Sequence, residues 1–209
     1  MSFGYLGDTS TKIKQQVKNN GVISVSEAYE LEKAGQLGGS LDFIAEVSAS
    51  SSTIDFVDKF SDYDIHVIFL EDLVPTTQTE FGIKFSNDSG SSYEASNYSF
   101  SNLRVYEDGT TGERNSTSQS SIRLGGDVLA NSEFNGYFYI FNANNSGVYT
   151  LTSGHNTYLQ GTAYAFEWGG GEYSAAEVVN GIRIGEGTGT TAFTSGTARL
   201  YGLKALWVI

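Results

Sequence analysis

Hydrophobic positions recur with a helical period in the first forty residues of the chain and with a strand period after them. Ile13 and Val17 lie one helical turn apart behind candidate N-cap residues, which predicts a short first helix. Ala28 and Leu31 give the following segment, VSEAYELEKAG, a narrow apolar stripe behind a capping-box spacing. Helices of about ten residues are marginal alone, so this hairpin needs a surface to pack on. We therefore predict a helical anchor over residues 1–40 that docks through these four side chains.

From residue 41 to residue 209 the pattern is that of short strands. Ile65, Val67 and Phe69 alternate with Asp64 and His66, which predicts a strand with the apolar residues buried and His66 on the wet face. Similar patterns recur in TEFGIKF, YFYIFNA and TAYAFEW, separated by clusters of Gly, Ser, Asn and Asp that are typical of turns. The expected fold is mainly β: a jelly-roll-like β-sandwich behind a short α-helical N-terminal segment.

Composition narrows the classes of partner. The formal net charge of −12 argues against nucleic acid, because phosphates require a Lys/Arg footprint. The chain has no cysteine, which excludes disulfides and thiolate metal sites. No run of about 18 apolar residues occurs, so membrane insertion is not expected. No motif for a cofactor is present either, and we predict none.

Four acids cluster in the C-terminal third beside an aromatic side chain. Glu167, Glu172, Glu177 and Glu186 surround Trp168 in sequence, and glycosidases place two carboxyl groups beside an aromatic platform. The alternative is that an acidic chain with 24 Asp and Glu residues scatters such side chains over strand edges and loops.

Metal and hydrolase motifs are missing from the sequence. His66 and His155 are far apart, and the acids from Asp55 to Asp72 lack the D-x-D-x-D-G spacing of a calcium loop. No G-x-S-x-G motif occurs, which argues against Ser/His/Asp catalysis. We therefore predict a non-enzymatic protein without catalytic, cofactor-binding or metal-binding residues.

Carbohydrate binding is a second possibility. Tyr and Trp on the surface of a β-sandwich stack on sugar rings, which makes Trp168, Tyr173 and Tyr158 candidate glycan contacts. The competing interpretation is that these rings are core residues or cross-strand partners, as most aromatic residues in sheets are.

Two stretches resemble a known group of proteins. The opening GYLGDTSTKIKQQVKNNGVISVSEAYELEKAGQLGGSLDFI resembles the N-terminal segment of uncharacterised virion structural proteins of marine tailed bacteriophages. The closing FTSGTARLYGLKA resembles a recurrent final strand of phage tail and capsid-associated β-domains. The resemblance covers about fifty residues. It implies a multimeric virion component with a jelly-roll-like domain, and it carries no catalytic residues.

The expected function is that of a virion structural protein, either a capsid decoration or head fibre or a tail-associated protein. Its expected partners are other capsid or tail proteins and identical copies of itself, for which we predict a trimer. It would be assembled in the host cytoplasm and located in the virion. The alternative is a receptor-recognition tail protein that binds, or cleaves, a host-surface glycan.

Overall fold

The computed structural model describes residues 41–186 and 192–203, and these residues form twelve strands. In chain order the strands are β1 (Leu41–Ser48), β2 (Thr53–Val57), β3 (Ile65–Pro75), β4 (Thr79–Ser86), β5 (Tyr98–Tyr106), β6 (Thr111–Gln119), β7 (Ile122–Val128), β8 (Phe134–Phe141), β9 (Thr150–Gln160), β10 (Ala163–Tyr173), β11 (Gly181–Glu186) and β12 (Phe193–Leu203). Within the described ranges there is no helix. The prediction of a mainly β chain is confirmed.

The strands form two antiparallel sheets. The larger sheet has eight strands in the order β1-β12-β3-β8-β9-β10-β5-β6, and the smaller has four in the order β2-β11-β4-β7. Buried side chains from both sheets belong to one hydrophobic cluster, so the sheets face each other as a β-sandwich. We call the face of the larger sheet that points away from the smaller sheet the outer face.

The sandwich lies within one compact unit, Phe43–Lys204. The predicted helical anchor over residues 1–40, with Ile13, Val17, Ala28 and Leu31, lies outside the described residues. It stays a prediction.

Aromatic rings fill the space between the two sheets. Phe81 of β4 packs edge-on against Phe134 of β8, with ring centroids 4.9 Å apart, and stacks on Phe193 of β12 at 5.2 Å. Phe134 in turn stacks on Tyr158 of β9 at 5.6 Å. All four side chains are buried. Rings of this size bury more area than any aliphatic side chain, so this cluster contributes strongly to sandwich stability.

The two faces of β3 are the reverse of those predicted from the sequence. His66 is fully buried and faces the core together with Ile68, whereas Phe69 is half-buried on the outer face. Val67 also lies on the outer face, but its cross-strand neighbours there are Tyr139 and Tyr201, and it is buried as well. The wet-face assignment of His66 was wrong because β3 carries large apolar residues on both faces, so the alternation in the sequence did not show which face meets the core.

The His66 ring sits in an apolar setting. It packs edge-on against Phe60 at 4.9 Å and Tyr63 at 5.8 Å, and neither ring nitrogen has a hydrogen-bond partner among the described residues. Burial lowers the pKa of His66 from 6.5 to about 4, against the opposing charges of Asp62 and Asp64. The folded protein therefore favours the neutral imidazole of His66 over the charged imidazolium.

A pH titration of stability tests this burial. Above pH 6.5 the imidazole is neutral in both the folded and the unfolded chain, and the unfolding free energy has its full value. As the pH falls towards about 4, the unfolded chain takes up a proton that the folded chain does not, so the unfolding free energy decreases. We expect His66→Phe to reduce the fall in unfolding free energy between these two pH values by about 2 kcal/mol, measured by urea unfolding. The exposed Phe166 on the outer face supplies the control, Phe166→Ala, which removes no ionisable group and should keep the wild-type slope. Equal slopes for wild type and His66→Phe would contradict the assignment.

Two phenylalanines distinguish the core from the outer face. Phe134 is fully buried between the sheets, whereas Phe166 is 45% exposed on β10. We expect Phe134→Ala to lower the unfolding free energy by about 3 to 5 kcal/mol, since it leaves a cavity among rings that cannot collapse fully. Phe166→Ala is the matched control and should lower it by less than about 1 kcal/mol. Similar losses in urea unfolding would show that the core is not where the fold places it.

Candidate functional site

Cross-strand register sets one row of side chains across the outer face of the larger sheet. The row runs from β5 to β12 and contains Leu103, Trp168, His155, Tyr137, Phe69 and Arg199, each opposite the next. The outer face is therefore rich in large rings although it faces away from the core. It is the main candidate for a binding surface among the described residues.

At one end of this face the rings pack on each other. Phe43 contacts Tyr201 edge-on at 5.6 Å, and Tyr201 contacts Phe69 in the same way at 5.6 Å. Phe69 then meets Tyr137 at 6.0 Å. Cross-strand ring pairs of this kind stabilise a sheet, so these four aromatics have a structural role whatever else they contact.

The aromatic residues of β10 are different. Tyr164, Phe166 and Trp168 are 52%, 45% and 41% exposed. None of the three makes a ring contact with another aromatic residue in the described part of the chain. They alternate with the buried Ala165 and Glu167, so β10 presents three unpartnered rings along its outer face.

A groove lies beside Trp168 because the next row of the sheet is built from small residues. Gly170 of β10 pairs with Ser101 of β5 and Ser153 of β9, and Ser101 pairs with Asn115 of β6. This row leaves an open groove of about 660 Å³ with Gly170 in its floor. Its lining also includes Ser99, Phe100, Ser101, Asn115, Ser116, Thr117, Leu151 and Glu172.

Glu172 of β10 lines the groove, and Trp168 stands on the same strand just outside its lining. Trp168 precedes Gly170 by two residues and Glu172 follows it by two, so all three lie on the same face, with each of them about 7 Å from the next. Ser116 Oγ accepts a hydrogen bond from Gln119 Nε2 at 2.8 Å, whereas the side chains of Ser99, Ser101, Asn115, Thr117 and Glu172 form no hydrogen bond with any other described residue. Their donors and acceptors are therefore available to a ligand.

Directly beneath the outer face lies a buried carboxylate. Glu167 is 1% exposed and points into the sandwich, where it accepts hydrogen bonds from Asn102 Nδ2 at 2.8 Å and from the Tyr158 hydroxyl. Asn102 Nδ2 also contacts the Arg123 carbonyl oxygen of β7 at 3.0 Å. Burial and the neighbouring carboxylate raise the pKa of Tyr158, which keeps its hydroxyl protonated as a donor. Glu167 thus ties β10 to β5 and β9.

The polar network continues at the edge of the core. Arg114 of β6 bonds Asp127 of β7 at 2.9 Å, and Gln160 of β9 donates to the same carboxylate oxygen at 3.0 Å. Gln160 accepts in turn from Arg104 Nη1 at 2.6 Å. These bonds join the two hairpins β5–β6 and β9–β10 to the smaller sheet. The groove therefore has a rigid support below it.

The structure does not place Glu167 and Glu172 side by side as the two carboxyl groups of a glycosidase. Glu167 and Glu172 are five residues apart on one strand and so face opposite sides of the sheet. The cavity next to Glu167 is about 10 Å³, too small for a sugar ring. Glu177 follows β10 and accepts from the Tyr173 hydroxyl at 2.6 Å and from Asn87 Nδ2 at 2.9 Å. The side chain of Glu186 lies outside the described residues.

Two of the three predicted glycan contacts need correction. Trp168 is exposed, but Tyr158 and Tyr173 are 0% and 2% exposed and belong to the core. Tyr173 packs on Tyr98 at 5.0 Å. The opposite orientations of Trp168 and Tyr173 were predictable from the sequence. The two residues are an odd number of positions apart, so on one strand their side chains face opposite sides of the sheet.

No metal centre is formed by the described residues. They contain no group of three or more His, Asp or Glu side chains that could hold an ion. Asp55 is instead bound by Arg183 through two hydrogen bonds of 2.8 and 2.7 Å, and Asp58 accepts from the Ser89 hydroxyl at 2.7 Å.

Comparison with known proteins finds no relative. No family model, no curated protein and no solved structure matches this chain. The described residues also include no helix long and apolar enough to cross a membrane. The resemblance to virion proteins therefore stays a prediction.

Substitutions at Glu167 test its structural role. Glu167→Ala removes the shared acceptor of Asn102 and Tyr158 and leaves both donors buried, so we expect a loss of about 3 kcal/mol in unfolding free energy. Glu167→Gln can still accept from Asn102 and donate to the Tyr158 oxygen, and should lose clearly less. Glu172→Ala, on the exposed side of the same strand, is the control and should be close to wild type. A neutral Glu167→Ala in urea unfolding would contradict the network.

Proposed function

We propose that the sandwich is a jelly roll extended by two hairpins. Four strands of the larger sheet follow the order β1-β12-β3-β8, and the smaller sheet follows β2-β11-β4-β7. Labelled B to I in chain order, these eight strands give the orders B-I-D-G and C-H-E-F of a jelly roll. The hairpins β5–β6 and β9–β10 then lengthen the larger sheet beyond β8. This order of strands is the observation that supports the proposal most directly.

We further propose that the protein is a non-enzymatic structural component of a tailed-phage virion. Jelly rolls serve as capsid proteins, but also as lectins and cupins, so the fold alone does not choose among these classes. The resemblance of both chain ends to virion proteins favours the first class.

In this role the two parts of the chain have separate tasks. Residues 1–40 dock on a capsid or tail surface, and the sandwich projects from it. Identical copies associate, and we propose a trimer with cyclic symmetry. Exposed outer-face rings such as Phe43, at 60%, are suited to contacts between copies or with other virion proteins.

The alternative function, recognition of a host-surface glycan, has support of its own from the groove beside Trp168. Glycan cleavage has less, because the carboxylates of Glu167 and Glu172 face opposite sides of the sheet. Binding and a structural role are compatible in one virion protein.

Addition of purified protein to tailed-phage particles assembled without it tests the proposed role. We expect the full chain to join heads or tails in trimeric units, measured by co-sedimentation and by mass determination. A chain lacking residues 1–40 should stay soluble and β-structured but not associate. In the full chain, Ile13→Asp with Val17→Asp should have the same effect, because the charges disrupt the apolar docking stripe.

Gln15→Asp is the control for added charge, since residue 15 lies on the opposite side of the predicted helix, and it should still associate. Association of the truncated chain at normal copy number would rule out the anchor. Failure of the full chain to join any particle would rule out the structural role.

A further inference from the structure

We propose that the groove beside Trp168 binds a short neutral oligosaccharide, with a sugar ring stacked on the Trp168 indole and its hydroxyls bonded by the polar lining. The proposal is independent of the virion role, since it rests only on the described outer face. It assigns the site to β5, β6, β9 and β10.

Register creates the groove. The row of Gly170, Ser101 and Asn115 is flanked on one side by the row of Trp168 and Leu103, and on the other by the row of Glu172 and its cross-strand partners. Trp168 and Leu103 thus stand on one side of a line of small residues, and Glu172 and Leu151 stand on the other. A Cβ atom added at Gly170 would lie 2.2 Å from the Thr152 carbonyl oxygen, so the tight backbone packing admits only glycine there.

The chemistry of the lining fits a sugar. Trp168 offers a large apolar ring that is 41% exposed and has no aromatic partner in the described chain, as stacking on the C–H face of a pyranose requires. Ser99, Ser101 and Asn115 add hydroxyl and amide groups that can donate and accept, and Glu172 adds a strong acceptor. Sugar hydroxyls both donate and accept, so this mixture can pair with them.

Size and charge restrict the ligand further. A groove of about 660 Å³ is within the usual range of small-ligand sites, and its open shape suits a chain that continues beyond it. No Lys or Arg lines the groove, whereas Glu172 does. The whole chain carries a net charge of −12, so uronic and sialic acids would be repelled. A neutral glycan is the ligand that meets no such repulsion.

The groove is also preorganised. Its four strands are the two hairpins that the eight-strand frame does not require, and the hydrogen bonds of Glu167 with Asn102 and Tyr158 fix three of them from below. A surface that is rigid before binding loses less conformational entropy when a ligand docks. The hairpins therefore add a binding face on the outside of the sandwich, while Tyr98, Tyr158 and Tyr173 of the same strands pack into its core.

A glycan array probed with the full chain identifies the ligand; the array carries neutral, amino and anionic oligosaccharides. Calorimetry with the neutral oligosaccharide that binds best then measures the affinity. We expect Trp168→Ala to weaken binding by at least about tenfold. Asn115→Ala and Glu172→Ala should weaken it several-fold each. Tyr164→Ala is the matched control, because Tyr164 is an exposed ring on the same face of β10 but four residues from Trp168, and it should bind like wild type.

Circular dichroism establishes that each variant is folded, and the two groove-lining polar variants carry the test if Trp168→Ala fails to fold. Absence of binding to every neutral glycan at millimolar concentration would overturn the proposal. Binding of anionic glycans alone, or equal losses in Trp168→Ala and Tyr164→Ala, would overturn it as well. Particle association is measured separately, so failure here leaves the structural role to be judged by its own experiment.

Discussion

The contact of Phe81 with Phe134 and Phe193 is the interaction on which the rest of the sandwich depends. Phe81 belongs to the smaller sheet, and its two partners belong to β8 and β12 of the larger sheet. The rings therefore fix the spacing and the facing surfaces of the two sheets at once. Every strand in the larger sheet must then direct one set of alternate side chains towards this core and the other set outward.

From that core a series of contacts leads to the surface. Phe134 stacks on Tyr158, Tyr158 donates to Glu167, and Glu167 is the residue next to Trp168. The buried carboxylate would be unfavourable alone, but two hydrogen-bond donors compensate for the loss of water. Because Glu167 is held inward, Trp168 must point outward. The position of the exposed indole is thus a consequence of core packing and not of local preference.

The outer face combines two kinds of aromatic surface. Phe43, Tyr201, Phe69 and Tyr137 contact each other across strands. Trp168 has no ring partner among residues 41–186 and 192–203 and stands beside the open groove. The packed rings lie on β1, β3, β8 and β12, and the groove lies on β5, β6, β9 and β10, so the two kinds of surface occupy different parts of one sheet.

The sequence by itself determined that the chain from residue 41 is built of strands, because hydrophobic alternation and turn residues are local properties. It also marked Trp168 as a candidate contact. Only the tertiary structure decided which side of each strand meets the core: it buried Tyr158, Tyr173 and His66. The groove depends on the pairing of Gly170 with Ser101, residues far apart in the chain. Such a register is set by packing across the whole sandwich, and no local pattern encodes it.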